Sequence, residues 1–185
     1  MERMLEGADS VADHDEVQWL IDRMRIADCL GRYVRGLDRH DADLIASAFW
    51  PDAHIRYGAR YDGPLGPFVE WSNASHAERW TGHSHNVTNQ IVTFEPDRSA
   101  ADVETYILFF HRREGTVDVG VGRYLDRLVK REGEWRILYR RLVADMMFET
   151  KGFDFTASGF PVGRWLPDDP SYVRPYGPLA PLEEK

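Results

Sequence analysis

Two residues in this sequence are of a type and in a setting to move a proton: Asp38 and His85. Leu20, Met24, Ala27, Gly31 and Val34 recur at alternating steps of four and three, as along one helix face. The next step of four lands on Asp38, so a carboxylate continues an apolar seam. The C-terminal end of a helix is a poor place for an anion, and desolvation adds to the cost. Such a carboxylate either serves a partner, or it caps the turn Asp38-Arg39-His40-Asp41 or pairs with Arg39. His85 lies in His83-Ser84-His85-Asn86-Val87-Thr88-Asn89, where strand spacing puts His83, His85, Val87, Asn89 and Ile91 on one face. A neutral imidazole is the usual general base near neutral pH. A carboxylate on its other ring nitrogen would fix the tautomer and stabilise the imidazolium. The competing reading of His85 is a structural histidine.

His83-x-His85 also raises the question of a metal. A cupin-like site needs a Glu three or four residues on, where this chain has Thr88 and Asn89, so no metal is expected. His111 continues the alternation Val103, Ile107, Phe109. Tyr57 ends a short strand pattern, and Tyr106 and Tyr124 fall mid-strand, where tyrosines either pack or grip a substrate oxygen. Arg136, Arg140 and Arg141 read mainly as surface charge; one facing inward would stabilise an anion. The single cysteine, Cys29, sits in a helical apolar pattern and reads as a small buried hydrophobe. A Gly-rich phosphate loop, a G-x-S-x-G elbow and a dinucleotide fingerprint are all missing from the sequence, which disfavours nucleotide and α/β-hydrolase chemistry.

The elements that must hold these groups follow from periodicity. Residues 1–15 are polar and acidic, without a period, and read as a flexible segment. A helix starts at Glu16, with a second stripe of Ile26, Leu30, Tyr33 and Leu37 beside the first. Asp41 is a good N-cap for a second helix running to about Trp50, stopped by Pro51. A short strand at 53–57, a Gly/Pro turn and a helix at 68–80 come next. Strands are predicted at 83–94, 101–112, 119–130 and 135–148, the last two joined by Arg131-Glu132-Gly133. Helices first and strands later indicate an α+β domain. A strongly curved, mixed or antiparallel sheet wrapped round the N-terminal helices makes a cone-shaped α+β barrel with an internal apolar pocket. The domain thus spans 16–150. Residues 151–185 hold six of the ten prolines, with Trp165, Tyr172 and Tyr176 among them. They read as an arm that covers a pocket mouth or a neighbouring subunit, or else as a solvated tail.

Charge and hydropathy narrow the partners. The net charge of −8 argues against nucleic acid, and no apolar run reaches the ~18 residues of a membrane span. The acidic N-terminus lacks the apolar core of a secretory signal, so the cytoplasm is the expected compartment.

The run IADCLGRYVRGLDRHDADLIASAFWPDAHIRYG, then HNVTNQIVTF, then GRYLDRLVKREGEWRILYRRLV, resembles the SnoaL-like branch of the nuclear transport factor 2-like superfamily, over residues 17–149. The likeness is to scytalone dehydratase, bile acid 7α-dehydratase and hexachlorocyclohexane dehydrochlorinase. It implies a cofactor-independent lyase working through a His–Asp dyad, His85 with Asp38. By the same resemblance Tyr33 matches a catalytic tyrosine, Tyr57 a water-positioning tyrosine and His111 a second histidine. Tyr124 stands where one relative has an asparagine, and Ala144 where another has an arginine. The expected substrate is a small hydrophobic aromatic or polycyclic molecule. Tyr106, Tyr124, Trp50, Arg79 and Asn89 are the candidate contacts to it. Relatives form homodimers or homotrimers, and the same is expected here. Other chemistries on the same dyad are a double-bond shift, or carbon–carbon cleavage releasing formaldehyde from lignin-derived diarylpropanes. The superfamily also contains non-catalytic domains, such as dioxygenase small subunits.

Overall fold

The computed structural model of the chain describes residues 5–153 and 159–176. Helix α1 runs Leu5–Arg39, followed by α2 (Ala42–Ser47), β1 (Phe49–Arg56), β2 (Asp62–Pro64) and α3 (Leu65–Arg79). Four long strands complete the domain: β3 (Gly82–Phe94), β4 (Ala100–Arg113), β5 (Thr116–Arg131) and β6 (Glu134–Lys151). The sheet order is β2-β1-β6-β5-β4-β3, antiparallel except where β1 runs parallel to β6. This is the expected α+β layering, a mixed sheet packed against the N-terminal helices. The sheet is open, its edges being β2 and β3. No helix among the described residues is long and apolar enough to cross a membrane.

The roll of α1 decides which side chains reach the interior. Ile26, Cys29, Leu30, Tyr33, Val34 and Leu37 form its buried face. Leu20, Met24 and Ala27, expected on that face, are exposed. Both stripes are apolar, and a buried acid selects between them. Asp22 accepts from the Trp135 indole at 2.8 Å and from Lys130 Nζ at 2.9 Å. Burial works against its charge, but these bonds outweigh it and hold the carboxyl below its usual range. The anchor turns positions 22, 26, 29, 33 and 37 inward. The helix also starts at Leu5 rather than Glu16.

Beyond α1 the chain reverses at His40, which takes the left-handed conformation (φ 53) while Asp41 N donates to Gly36 O. Asp41 then caps α2 through Leu44 N, as its sequence position indicates. Gly36 permits the fold-back: a Cβ there would lie 2.7 Å from Ile45. The α2 helix ends at Ser47, so Trp50 lies on β1. Strand alternation buries Phe49 and turns Trp50 away from the core. Elsewhere β-bulges interrupt alternation, and two of them bear on the expected site residues. On β3, Thr88 and Asn89 face one β4 residue, because Val87 pairs with Ile107 and Gln90 with Thr105. On β6, Leu138 is the extra residue, because Tyr139 pairs with Arg127 and Ile137 with Leu128. The two-residue turn Glu132-Gly133 joins β5 to β6 with both residues at positive φ.

The segment after β6 is partly docked. Arg39 pairs with Asp169 at 3.2 Å, Leu166 N donates to Arg39 O, and the Tyr172 hydroxyl donates to Asp41 at 2.7 Å. Trp165 stacks on His40 with ring centres 3.9 Å apart. The described part of the arm therefore packs on the end of its own α1.

Candidate active site

A cavity of about 690 Å³ opens between α1, α3 and the concave face of the sheet, within the range of small-molecule sites. Each element contributes by its own period. Tyr33 and Leu37 come from α1, and Phe68, Trp71, Ser75, His76 and Arg79 come from α3. Ile107, Phe109 and His111 alternate inward along β4, while Tyr124, Leu142 and Ala144 come from β5 and β6.

His85 and Asp38 meet at the cavity wall. Asp38 is the penultimate residue of α1 and reaches across to β3. Its Oδ1 lies 2.6 Å from His85 Nδ1, and both its oxygens lie 3.0 Å from the His85 backbone N–H. These donors meet the cost of an anion at a helix C-terminus. A carboxylate can only accept, so the ring proton sits on Nδ1 and the lone pair on Nε2. The His85 side chain is 5% exposed. Its Nε2 lies 3.4 Å from His111 Nε2. Burial pushes His111 down to about 3 and His83 down to about 2, and it lowers His76 further still, with the neighbouring imidazoles adding to each shift. These rings are neutral at ordinary pH.

The floor of the cavity is of different construction. Tyr33 and Tyr57 share a 2.6 Å hydroxyl–hydroxyl bond, and Tyr124 packs edge-on to Tyr33. The Arg140 guanidinium lies 4.1 Å from the Tyr33 ring centre and 3.9 Å from that of Tyr124. Asp126 holds it through two bonds of 2.6 and 2.7 Å. Burial alone would favour a neutral Arg140, and Asp126 outweighs it. Burial raises all three tyrosine hydroxyls, so they stay protonated donors.

Of the expected site residues, His85, Asp38, Tyr33, Tyr57, His111, Tyr124 and Arg79 come together in or directly behind this cavity. Three do not. Tyr106 is out of step with Ile107 and His111, so its ring faces outward beside Arg123. Asn89 lies in the β3 bulge and is exposed. Trp50 donates to Val129 O and is flanked by Arg131 and Arg136, away from the cavity. Arg140, expected at the surface, is fully buried. The sequence reading missed His76, although a helical repeat from Phe68 through Ser72 carries to it.

A SnoaL-like domain model matches residues 18–141, two thirds of the chain. The chain belongs to the SnoaL-like domain family. No curated protein matches it. Among solved structures, this SnoaL-like chain is similar to a Mycobacterium tuberculosis protein of unknown function. That match has 26% identity and a TM-score of 0.62, covering 70% of this chain and 75% of that one. It is also similar to hexachlorocyclohexane dehydrochlorinase LinA-type3 from Novosphingobium barchaimii, at 22% identity and TM-score 0.66, covering 76% and 97%. A third match is a Novosphingobium aromaticivorans protein provisionally named a scytalone dehydratase, at 21% identity and TM-score 0.61, covering 80% and 95%. The last two likenesses establish the fold of the SnoaL-like chain.

Proposed function

We propose that this chain is a cofactor-independent lyase that eliminates water or hydrogen halide from a small hydrophobic ring compound. The observation that carries the reading is the 2.6 Å contact between His85 Nδ1 and Asp38 in the wall of an apolar cavity. In this mechanism His85 Nε2 takes a proton from a carbon next to an electron-withdrawing group. The C–H electron pair becomes the new double bond, and the neighbouring C–X bond breaks with its pair going to X. Asp38 stabilises the imidazolium. A leaving halide accepts hydrogen bonds from Tyr33 and Tyr57, and His111 stands beside the base. A leaving hydroxyl takes a proton from Tyr57 and departs as water; the proton on His85 passes to solvent, and solvent returns one to Tyr57, whose resting state is the protonated hydroxyl. Tyr124 and Arg79 contact the rest of the substrate. The names of two structural relatives, a dehydrochlorinase and a provisional scytalone dehydratase, support an elimination.

Product analysis tests the reading. The protein is incubated with γ-hexachlorocyclohexane and with a set of cyclic β-hydroxy ketones, and chloride and dehydrated products are measured. Release of either is expected. Formaldehyde from a diarylpropane would instead mark carbon–carbon cleavage, a product of unchanged mass an isomerase, and binding without turnover a non-catalytic domain. A dimer or trimer is part of the same reading, supported by exposed Val17, Leu20, Ile21 and Met24 on α1 and Met146, Met147 and Phe148 on β6. Sedimentation at a monomer mass would remove that part.

A further inference from the structure

Five imidazoles crowd one side of the molecule: His40, His76, His83, His85 and His111. His76 is shared by two groups, in each of which one nitrogen per ring lies within 4.8 Å of the others. The first group is His40, His76 and His83. Its rings are close to parallel, at 26–33° to one another, and Trp165 continues the stack at 13°. Near-parallel stacked rings cannot all aim in-plane lone pairs at one point, so this group is a packing arrangement.

The second group differs in geometry. His111 stands at 61° to His85 and 60° to His76, with ring centres 5.1 and 5.3 Å apart. A tetrahedral ion with nitrogen ligands at about 2.0–2.1 Å needs donor atoms about 3.4 Å apart and ring centres about 5 Å apart. His85 Nε2 and His111 Nε2 already lie 3.4 Å apart. His76 and His85 are wider, with centres 5.9 Å apart, and their planes are only 27° from parallel, so His76 must both swing inward from the end of α3 and turn its ring; the crossed ring of His111 is what separates this group from the first. Asp38 on His85 Nδ1 is the outer carboxylate that metal-binding histidines commonly carry, and it directs the free lone pair to Nε2.

We propose that His76, His85 and His111 form a site for a single first-row divalent transition ion, with Asp38 as the outer partner and the cavity side left open as the fourth position. Three imidazoles on a tetrahedral template suit Zn²⁺ or Co²⁺, not an oxygen-seeking ion such as Mg²⁺. The sequence pair His83-x-His85 is not the chelate; only His85 of that pair belongs to it. The site stands on geometry. Its consequence rests on the proposed elimination: an ion on Nε2 uses the lone pair the base needs, so the occupied protein cannot abstract a proton.

The full chain, stripped with a chelator, is titrated with Co²⁺ and followed by visible absorption. A single equivalent should bring up the intense bands of a four-coordinate ion. His111→Gln and His76→Gln should each abolish the bands, so misfolding of one variant leaves the other as the test. Asp38→Asn should weaken binding by about 10–100-fold, and His83→Phe should leave the bands in place. Absence of bands in the wild-type protein overturns the site, as does their loss in His83→Phe with retention in His111→Gln. Proton abstraction is read in parallel with 5-nitrobenzisoxazole, whose deprotonation breaks its N–O bond and yields a coloured cyanophenolate. Activity of the metal-free protein should fall at the same Co²⁺ midpoint as the bands rise. Bands without any metal-free activity keep the site and remove the proposed base; activity without bands does the reverse.

Discussion

The two polar ends of the cavity are built on opposite terms. At the end formed by α3, β3 and β4, ring nitrogens of His76 and His111, and of His83 stacked on His76 outside the cavity lining, are buried without a hydrogen-bond partner. At the floor, Tyr33, Tyr57 and Tyr124 pack on Arg140, which Asp126 holds from below. Imidazoles with free lone pairs can accept a proton or an ion. Hydroxyls whose pKa is raised by burial rest as protonated donors across the ordinary pH range, able to bond a leaving group or give it a proton as it departs. The first end is chemically open and costly to fold; the second is rigid and chemically closed. An elimination needs one of each: a base, and a fixed set of donors for what leaves.

Removing the open end should have the largest effect. His85→Ala is expected to lower kcat/KM for 5-nitrobenzisoxazole by about 10²–10⁴-fold, the usual weight of one positioned proton-transfer group. Asp38→Asn should fall in the same direction, because an amide can present the wrong partner to Nδ1. Stopped or steady-state absorbance at the phenolate band measures both. Wild-type rates in His85→Ala would place the base elsewhere and erase the contrast between the two ends.

Breaking the closed end should show in stability first. Arg140→Met leaves Asp126 buried without its partner and should cost about 3–5 kcal/mol in urea unfolding. Replacing both, Arg140→Met with Asp126→Leu, should recover most of that loss, since a buried ion pair often contributes little over an apolar pair of similar volume. A single variant as stable as the wild type would mean that the floor is not held by this pair.

These two ends were not equally legible in the sequence. Asp38, Tyr33 and Leu37 follow from a helical period, and His111 follows from strict alternation along β4 with Ile107 and Phe109. The same alternation excludes Tyr106, which is one residue out of step with them. Arg140 and Asn89 were unreadable for one shared reason. Each follows or sits in a β-bulge, and one inserted residue exchanges the faces of everything beyond it. Counting from Trp135 and Ile137 sends Arg140 to solvent, while the extra residue Leu138 returns it to the core. The roll of α1 was hidden similarly, because two apolar stripes compete and only the pairing of Asp22 with Trp135 and Lys130 decides between them. The end of the sheet that stays open depends on strand order, which periodicity does not carry.

The cost of the open end should be visible as pH falls. His83 is buried, neither of its ring nitrogens has a partner, and desolvation leads the lowering of its pKa to about 2, with His111, His40, His85 and Arg112 adding repulsion. Its folded pKa lies below the unfolded value, so below about 6.5 the unfolded chain binds the additional proton. Its contribution is therefore complete above that pH and is lost as pH falls, at about 1.4 kcal/mol per pH unit. His83→Phe should flatten the decline of urea stability between pH 6.5 and 5 by that amount in chelator-treated protein. An unchanged slope would mean that water or another partner already serves the ring.

The smallest effect belongs to a single donor of the closed end. Tyr57→Phe removes one hydroxyl from the 2.6 Å bond with Tyr33 and leaves the ring packed against Phe68. It should cost about 0.5–1.5 kcal/mol of stability, the net worth of one neutral hydrogen bond. Its catalytic effect should depend on what leaves. Proton abstraction from 5-nitrobenzisoxazole should change little, because the base is at the other end. Elimination of water from a β-hydroxy ketone should slow more than elimination of chloride, because hydroxide must be protonated as it departs and chloride need not be. Equal slowing of all three reactions would show that Tyr57 acts through packing, and the division of labour between the two ends would then rest on His85 alone.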